Sequence, residues 1–163
     1  MFEKITLKHA DGTEKEYGFI TNGTTSYRYF QLFRKELMAG ITDIISSIGA
    51  DNLKKLVPLA KQMEESEKEE LPLESMDAET ISMLISIVGS GQMNTIPQMA
   101  FIMNQQAEHA NMNELNFEKY LDWLENFESM ELLTHAMDFI ALYTGNRQTS
   151  STPKKDPAQL TEK

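Results

Sequence analysis

The sequence predicts a mainly α, α+β fold: an N-terminal β-hairpin, then about five to six amphipathic helices, then a disordered C-terminal tail. Three observations point to it. Apolar and polar residues alternate with period two only in the first 20 residues. Apolar residues recur every three or four positions through most of the next 125. The last 18 residues have Leu160 as their one large apolar side chain, with two prolines.

Residues 3–9 place Ile5 and Leu7 on one face and Lys4, Thr6 and Lys8 on the other. Asp11-Gly12 follows, and both residues tolerate positive φ, so a turn is expected there. Tyr17 and Phe19 then alternate with Glu16 and Gly18, giving a second strand over 14–20. A lone hairpin is marginal in water, so its apolar face needs helices or another copy to pack on. Its unpaired edges also offer a route to assembly by strand addition.

The first helix is expected over 27–48, with Ser26 as its cap. Phe30, Phe33, Leu37, Ile41, Ile44 and Ile48 form one stripe. Gly49 suits the helix end. Asp51 can cap a second helix bearing Leu53, Leu56, Val57, Ala60 and Met63, with Pro58 inside it. Asp77 can cap a third with Ile81, Leu84, Ile85 and Val88. Thr95-Ile96-Pro97 reads as a further start, since proline fits a first turn. In that helix Met99, Ile102, Met103 and Gln106 face one way. The polar run 108–116 is a break. Asn116 can cap a helix with Phe117, Tyr120, Leu121, Leu124 and Phe127. Ser129 can cap a last helix carrying Leu133, Ala136, Met137, Ile140 and Tyr143, which Gly145 ends. A single globular domain over 1–145 (hairpin 3–20, helices 27–145) and a disordered polar tail over 146–163 follow from this reading.

The chain has 163 residues, 40% of them hydrophobic, and a net charge of −10. That charge argues against nonspecific binding to nucleic acid and to anionic membranes. It is concentrated. Residues 64–79 hold eight acids against one base, Lys68, and so carry −7. A solvated acidic linker over 64–77 is the plain reading, and a partner-steering or DNA-mimicking strip is the sharper one. There is no cysteine, which removes disulfide and thiolate chemistry. With no apolar signal core and no run long enough to span a bilayer, the expectation is a soluble intracellular protein.

No reacting group stands out. The histidines are His9, His109 and His135. Glu131, His135 and Asp138 share a helical face, yet no Glu-x-x-His or His-Glu-x-x-His pattern supports a metal centre. Gly89-Ser90-Gly91 lacks the lysine and hydroxyl end of a phosphate loop. No catalytic residue, cofactor or metal is therefore expected. The compositional anomaly is methionine, with 11 in the chain and Met83, Met93, Met99, Met103 and Met112 within 30 residues. Such side chains fill irregular cores, and they also adapt to varied apolar partners. Phe117, Tyr120 and Phe127 read mostly as helix core. Trp123 lies off the main stripe, where it can serve as an exposed anchor.

Three stretches stand out together: the opening Phe2-Glu3-Lys4-Ile5-Thr6-Leu7-Lys8 with Asp11-Gly12-Thr13 and Tyr17-Gly18-Phe19, the helix 27–48, and Asn116-Phe117-Glu118-Lys119-Tyr120-Leu121-Asp122-Trp123-Leu124-Glu125. In these the chain resembles the tail assembly chaperones of long-tailed phages that infect Gram-positive bacteria. The resemblance implies a protein of the host cytoplasm, absent from the mature virion, that binds and solubilises the tape measure protein and self-associates. Contacts with other tail proteins are a further possibility it raises. It also implies a short form paired with a frameshifted longer one. Lys154-Lys155, whose adenine-rich codons can form a slippery run, stand near where such an extension would join. The acidic stretch 64–79 falls outside the resemblance. On this reading Met83, Met93, Met99, Met103, Phe117, Tyr120, Trp123 and Phe127 are the candidate partner-binding residues. The alternative is an acidic phage-encoded regulatory or inhibitory protein that binds a host or phage protein, motivated by the acidic strip. An enzyme is the least supported class.

Overall fold

The computed structural model describes residues 1–49, 78, 79, 82, 91–128 and 130–145. Helices expected over 51–63 and 77–88 lie largely outside these residues. So do Met83, Ser129, nearly all of the acidic stretch, and the tail with Lys154 and Lys155.

Strand β1 (Phe2–Lys8) pairs antiparallel with β2 (Glu14–Ile20), Ile5 opposite Tyr17 and Leu7 opposite Lys15. Gly12 takes φ 84° in the turn, and the Asp11 carboxylate accepts the Thr13 N–H and hydroxyl. As the alternation predicts, Ile5, Leu7 and Phe19 are buried and Tyr17 is half-buried. Six α-helices follow among the described residues: α1 (Thr25–Phe33), α2 (Leu37–Ile48), α3 (Thr95–Ala107), α4 (Phe117–Leu124), α5 (Glu131–Thr134) and α6 (Ala136–Thr144). A 3₁₀ turn, Gln92–Asn94, leads into α3.

Two helices expected to be continuous are broken. The 27–48 stretch divides because Arg34 adopts the left-handed conformation, φ 57°, and its N–H closes on the Phe30 carbonyl. This separates the faces of the two halves. In α1 the buried positions are Thr25 and Tyr29, and Phe30 is exposed, although it falls on the apolar stripe. In α2 the stripe holds, with Leu37, Ile41 and Ile44 buried. The cap also differs: α1 opens at Thr25 rather than after Ser26. The Asn22 side chain accepts the Thr24 N–H, and Thr25 Oγ1 accepts the Asn22 N–H. The last helix divides at His135, where the Thr134 hydroxyl bonds back to the Glu131 carbonyl and competes with the helical ladder.

Helix α3 is the axis of the molecule. It packs against β2, α1, α2, α4, α5 and α6. Its sequence was expected to present one apolar face. Instead nine of its first ten residues are buried, on every side. Met99, Ile102 and Met103 have no exposed surface. Close approach at its N-terminus requires Gly40 of α2, because a Cβ there would lie 2.8 Å from Thr95 Oγ1. Pro97 sits in the first turn, where its missing N–H has no helical partner to lose.

A helix enclosed this way carries polar groups into the core, and Gln98 and Asn104 both find partners there. Gln98 accepts the Tyr29 hydroxyl at 2.9 Å. Asn104 is the hub. Its Nδ2 donates to the Gly18 carbonyl of β2 at 3.0 Å, while its Oδ1 accepts the Trp123 indole N–H at 3.0 Å. The hairpin edges are thus met by side chains at two points. Asn104 takes a carbonyl of β2, and Glu131 Oε1 accepts the Lys8 N–H of β1 at 2.9 Å.

Asn104→Ala strands the Gly18 carbonyl and the Trp123 N–H together. The expected loss is about 2–3 kcal/mol of folding stability. It would be read as a lower urea midpoint with an unchanged m-value.

Candidate functional site

The sequence-predicted partner residues among those described separate into four groups. Met99 and Met103 are wholly internal to α3, so neither can form a docking surface on the folded chain. The one-face pattern of α3 concealed this, because a central helix is apolar all round. Trp123 is not an exposed anchor. It is half-buried, its N–H is held by Asn104, and its ring contacts Phe101 and Phe127 at centroid distances of 5.5 and 4.8 Å. Phe117 is 51% exposed, at the start of α4.

Met93, Tyr120 and Phe127 are brought together. Each is more than nine-tenths buried, yet each contributes to the wall of a groove of about 420 Å³. The start of α3 forms one side through Met93 and Pro97. Helix α4 forms the second through Tyr120, Leu121 and Leu124. Helix α5 forms the third through Leu132 and Leu133. Glu125 and Glu128 supply acidic charge to the lining. Helix α4 is short and set by its cap, as its sequence predicts: the Asn116 side chain accepts the Lys119 N–H at 2.9 Å. That start leaves Leu121 turned outward, 41% exposed. Leu121 and Leu124 were legible as members of the α4 stripe. Pro97, Leu132 and Leu133 gave no sign of joining them, because they lie on other elements.

Phe127 comes after α4 and pairs with His9 as an isolated antiparallel bridge, while the Asn126 carbonyl accepts the Ala10 N–H. His9, Tyr17, Phe127 and Trp123 form a line of ring contacts that ties this wall to the hairpin. Burial, with a contribution from Tyr29, pushes the Tyr120 hydroxyl up to about 12. It therefore stays neutral at physiological pH and serves as a wall rather than a base.

Glu131, His135 and Asp138 do converge, on a set of contacts that reaches the hairpin. His135 Nδ1 lies 3.1 Å from Asp138 Oδ2, and its Nε2 lies 3.6 Å from Glu131 Oε1. That same Glu131 oxygen accepts the Lys8 N–H, which anchors α5 to β1. Among the described residues no group of three side chains could hold a metal ion, and no helix is long and apolar enough to cross a membrane.

In comparisons with known proteins, no family, no curated relative and no solved structure matches this chain.

The hydrogen bond to Asp138 raises the His135 pKa above its usual value, with the Asp138 and Glu131 charges reinforcing it and burial opposing it. A raised folded-state pKa gives stability that is full below about pH 6.5 and is lost as pH rises through the folded value. Urea midpoints of the wild type should therefore fall between pH 6 and pH 8.5. His135→Gln should remove most of that slope. Equal slopes in the two proteins would dismiss the linkage.

Proposed function

We propose that this protein is an assembly chaperone that holds an amphipathic helix of a client protein in the groove between α3, α4 and α5. The single observation that carries the reading is the groove itself. Its lining is mostly leucine, methionine and aromatic, it carries two glutamates, and it contains no nucleophile with a partnered base. Its volume falls within the range of about 300–1,000 Å³ typical of ligand clefts. An incoming helix would place apolar side chains at i, i+3 and i+4 against Leu121, Leu124 and Leu133. Lysine or arginine beside that stripe would face Glu125 and Glu128. The net charge of −10 favours such a client at long range and keeps the chaperone dispersed.

The client proposed is the tape measure protein of a phage tail, whose long helices carry apolar stripes without partners before assembly. The resemblance of residues 2–19, 27–48 and 116–125 supports that choice of client, and the groove supports the mode of binding. Only three of the eight residues singled out from sequence, Met93, Tyr120 and Phe127, belong to the groove, so the contact surface proposed here is centred on Leu121 instead. The acidic-inhibitor alternative rests on a stretch almost wholly outside the described residues, and no geometry favours it.

Leu121→Glu tests the proposal at a position exposed enough to tolerate the change. Its thermal unfolding should match the wild type. Its affinity for a labelled, basic, amphipathic helical peptide should fall about tenfold or more by fluorescence anisotropy. Co-expressed tape measure segments should shift to the insoluble fraction. A folded Leu121→Glu protein that keeps full affinity and solubilisation would overturn the proposal. Reversing the rim with Glu125→Lys and Glu128→Lys should weaken binding of the same peptide and leave a glutamate-flanked version unharmed.

A further inference from the structure

The chain has three arginines, Arg28, Arg34 and Arg147, against 25 acidic residues. Two of the three line one cavity. Arg28 and Arg34, from α1 and the turn that ends it, stand over a space of about 260 Å³. Its apolar lining is Leu32, Ile102, Met112 and Leu115. With so many carboxylates in the chain, ion pairs would be the ordinary fate of both guanidinium groups. Neither has one among the described residues. Arg28 donates only to neutral oxygens, Gln31 Oε1 at 3.2 Å and Asn113 Oδ1 at 3.0 Å. Among the described residues the Arg34 side chain has no hydrogen bond or ion pair, and no acid lines the cavity.

The backbone adds an independent point. Arg34 closes α1 in the left-handed region, at φ 57°. A glycine or asparagine adopts that conformation at lower cost. An arginine at this position lines the cavity at the expense of the preferred cap.

We propose that the Arg28–Arg34 cavity is a second docking site, which takes an acidic–apolar segment of a partner protein: a carboxylate side chain next to a leucine-like one. The two guanidinium groups match carboxylate oxygens, with Arg34 open to bidentate pairing. The floor of Leu32, Ile102, Met112 and Leu115 asks for an apolar neighbour to that charge. The rest of the chain selects against a free small anion. Such an ion meets the repulsion of a −10 molecule without the compensating apolar contact. This site lies apart from the groove and does not depend on it. Its ligand has the opposite charge.

The test uses the full chain and a fluorescein-labelled peptide of interleaved leucine and glutamate, read by anisotropy at low ionic strength. Saturable binding is expected, weakened about tenfold or more by Arg28→Gln and by Arg34→Gln. Arg34→Lys, which keeps the charge and loses the fork, should fall between. Arg34→Gly separates the site from the fold: its melting temperature should equal or exceed that of the wild type, since the left-handed turn is relieved, while the peptide is lost. Leu121→Glu should leave this binding unchanged. The proposal is overturned if both glutamine variants bind as the wild type does. It is overturned equally if the two glutamine variants weaken a peptide with lysine in place of glutamate by as much, or if inorganic phosphate displaces the labelled peptide at matching concentration, which would make this a small-anion site.

Discussion

A helix that is covered on every side must bring a partner for every polar group it carries inward. Helix α3 meets that constraint, and the rest of the molecule is arranged around it. Burying a large apolar side chain stabilises by roughly 1.5–3 kcal/mol, and α3 buries Ile96, Met99, Phe101, Ile102 and Met103 almost completely. Gln98 and Asn104 enter the same interior. Left unpaired, each would cost about as much as one of those apolar residues contributes. Tyr29 answers the first. Gly18 and Trp123 answer the second. The Asn104 amide therefore sets where β2 and α4 stand relative to α3, which apolar contact alone does not specify.

This arrangement relocates any partner surface. Methionine adapts to irregular spaces, and at Met99 and Met103 it does so inside the protein, where six neighbouring elements of different shape converge on one helix. What remains for partners is the surplus at the periphery. The three-walled groove exists because α4 and α5 are short, and because the chain between them is turned aside to pair Phe127 with His9. Leu121 and Leu133 are then left without a full complement of neighbours. The aromatic line from His9 to Trp123 braces that wall against the hairpin. The N-terminal strands thereby support the helical surface as well as the core.

The features legible in the sequence are those whose cause is local. Period-two alternation placed Ile5, Leu7 and Phe19. Asp11-Gly12 marked the turn, Asn116 the start of α4, and Gly145 the left-handed end of α6. The features that were not legible have nonlocal causes. Nothing about an arginine followed by lysine announces a left-handed residue, so the α1–α2 break at Arg34 was invisible. Burial of Ala100 and Phe101 outside the expected stripe follows from how many elements pack on α3, and a helical period carries no record of that. Trp123 was legible as off-stripe, but its partner Asn104 is 19 positions away. The groove is hidden for the same reason. Its walls come from residues 93–97, 120–128 and 132–133, and each segment taken alone reads as ordinary core.

Charge divides the two proposed surfaces more sharply than shape does. Both are open, partly apolar concavities, but Glu125 and Glu128 line one and Arg28 and Arg34 the other. The long-range field has one sign, since the chain carries −10. That field would assist the proposed basic client on its way to the groove and oppose an acidic segment on its way to the arginines. Salt shortens its reach to about 8 Å at physiological ionic strength, so it governs encounter more than the bound state. Once contact is made, local groups decide. Binding in the groove would rest mainly on leucine contacts that salt scarcely weakens, whereas binding at the arginine site would rest on two fork-shaped donors beside apolar side chains. A partner carrying both a basic and an acidic amphipathic segment would engage the two sites by different physics. The linkage would raise the effective concentration of the second segment without any new contact being made.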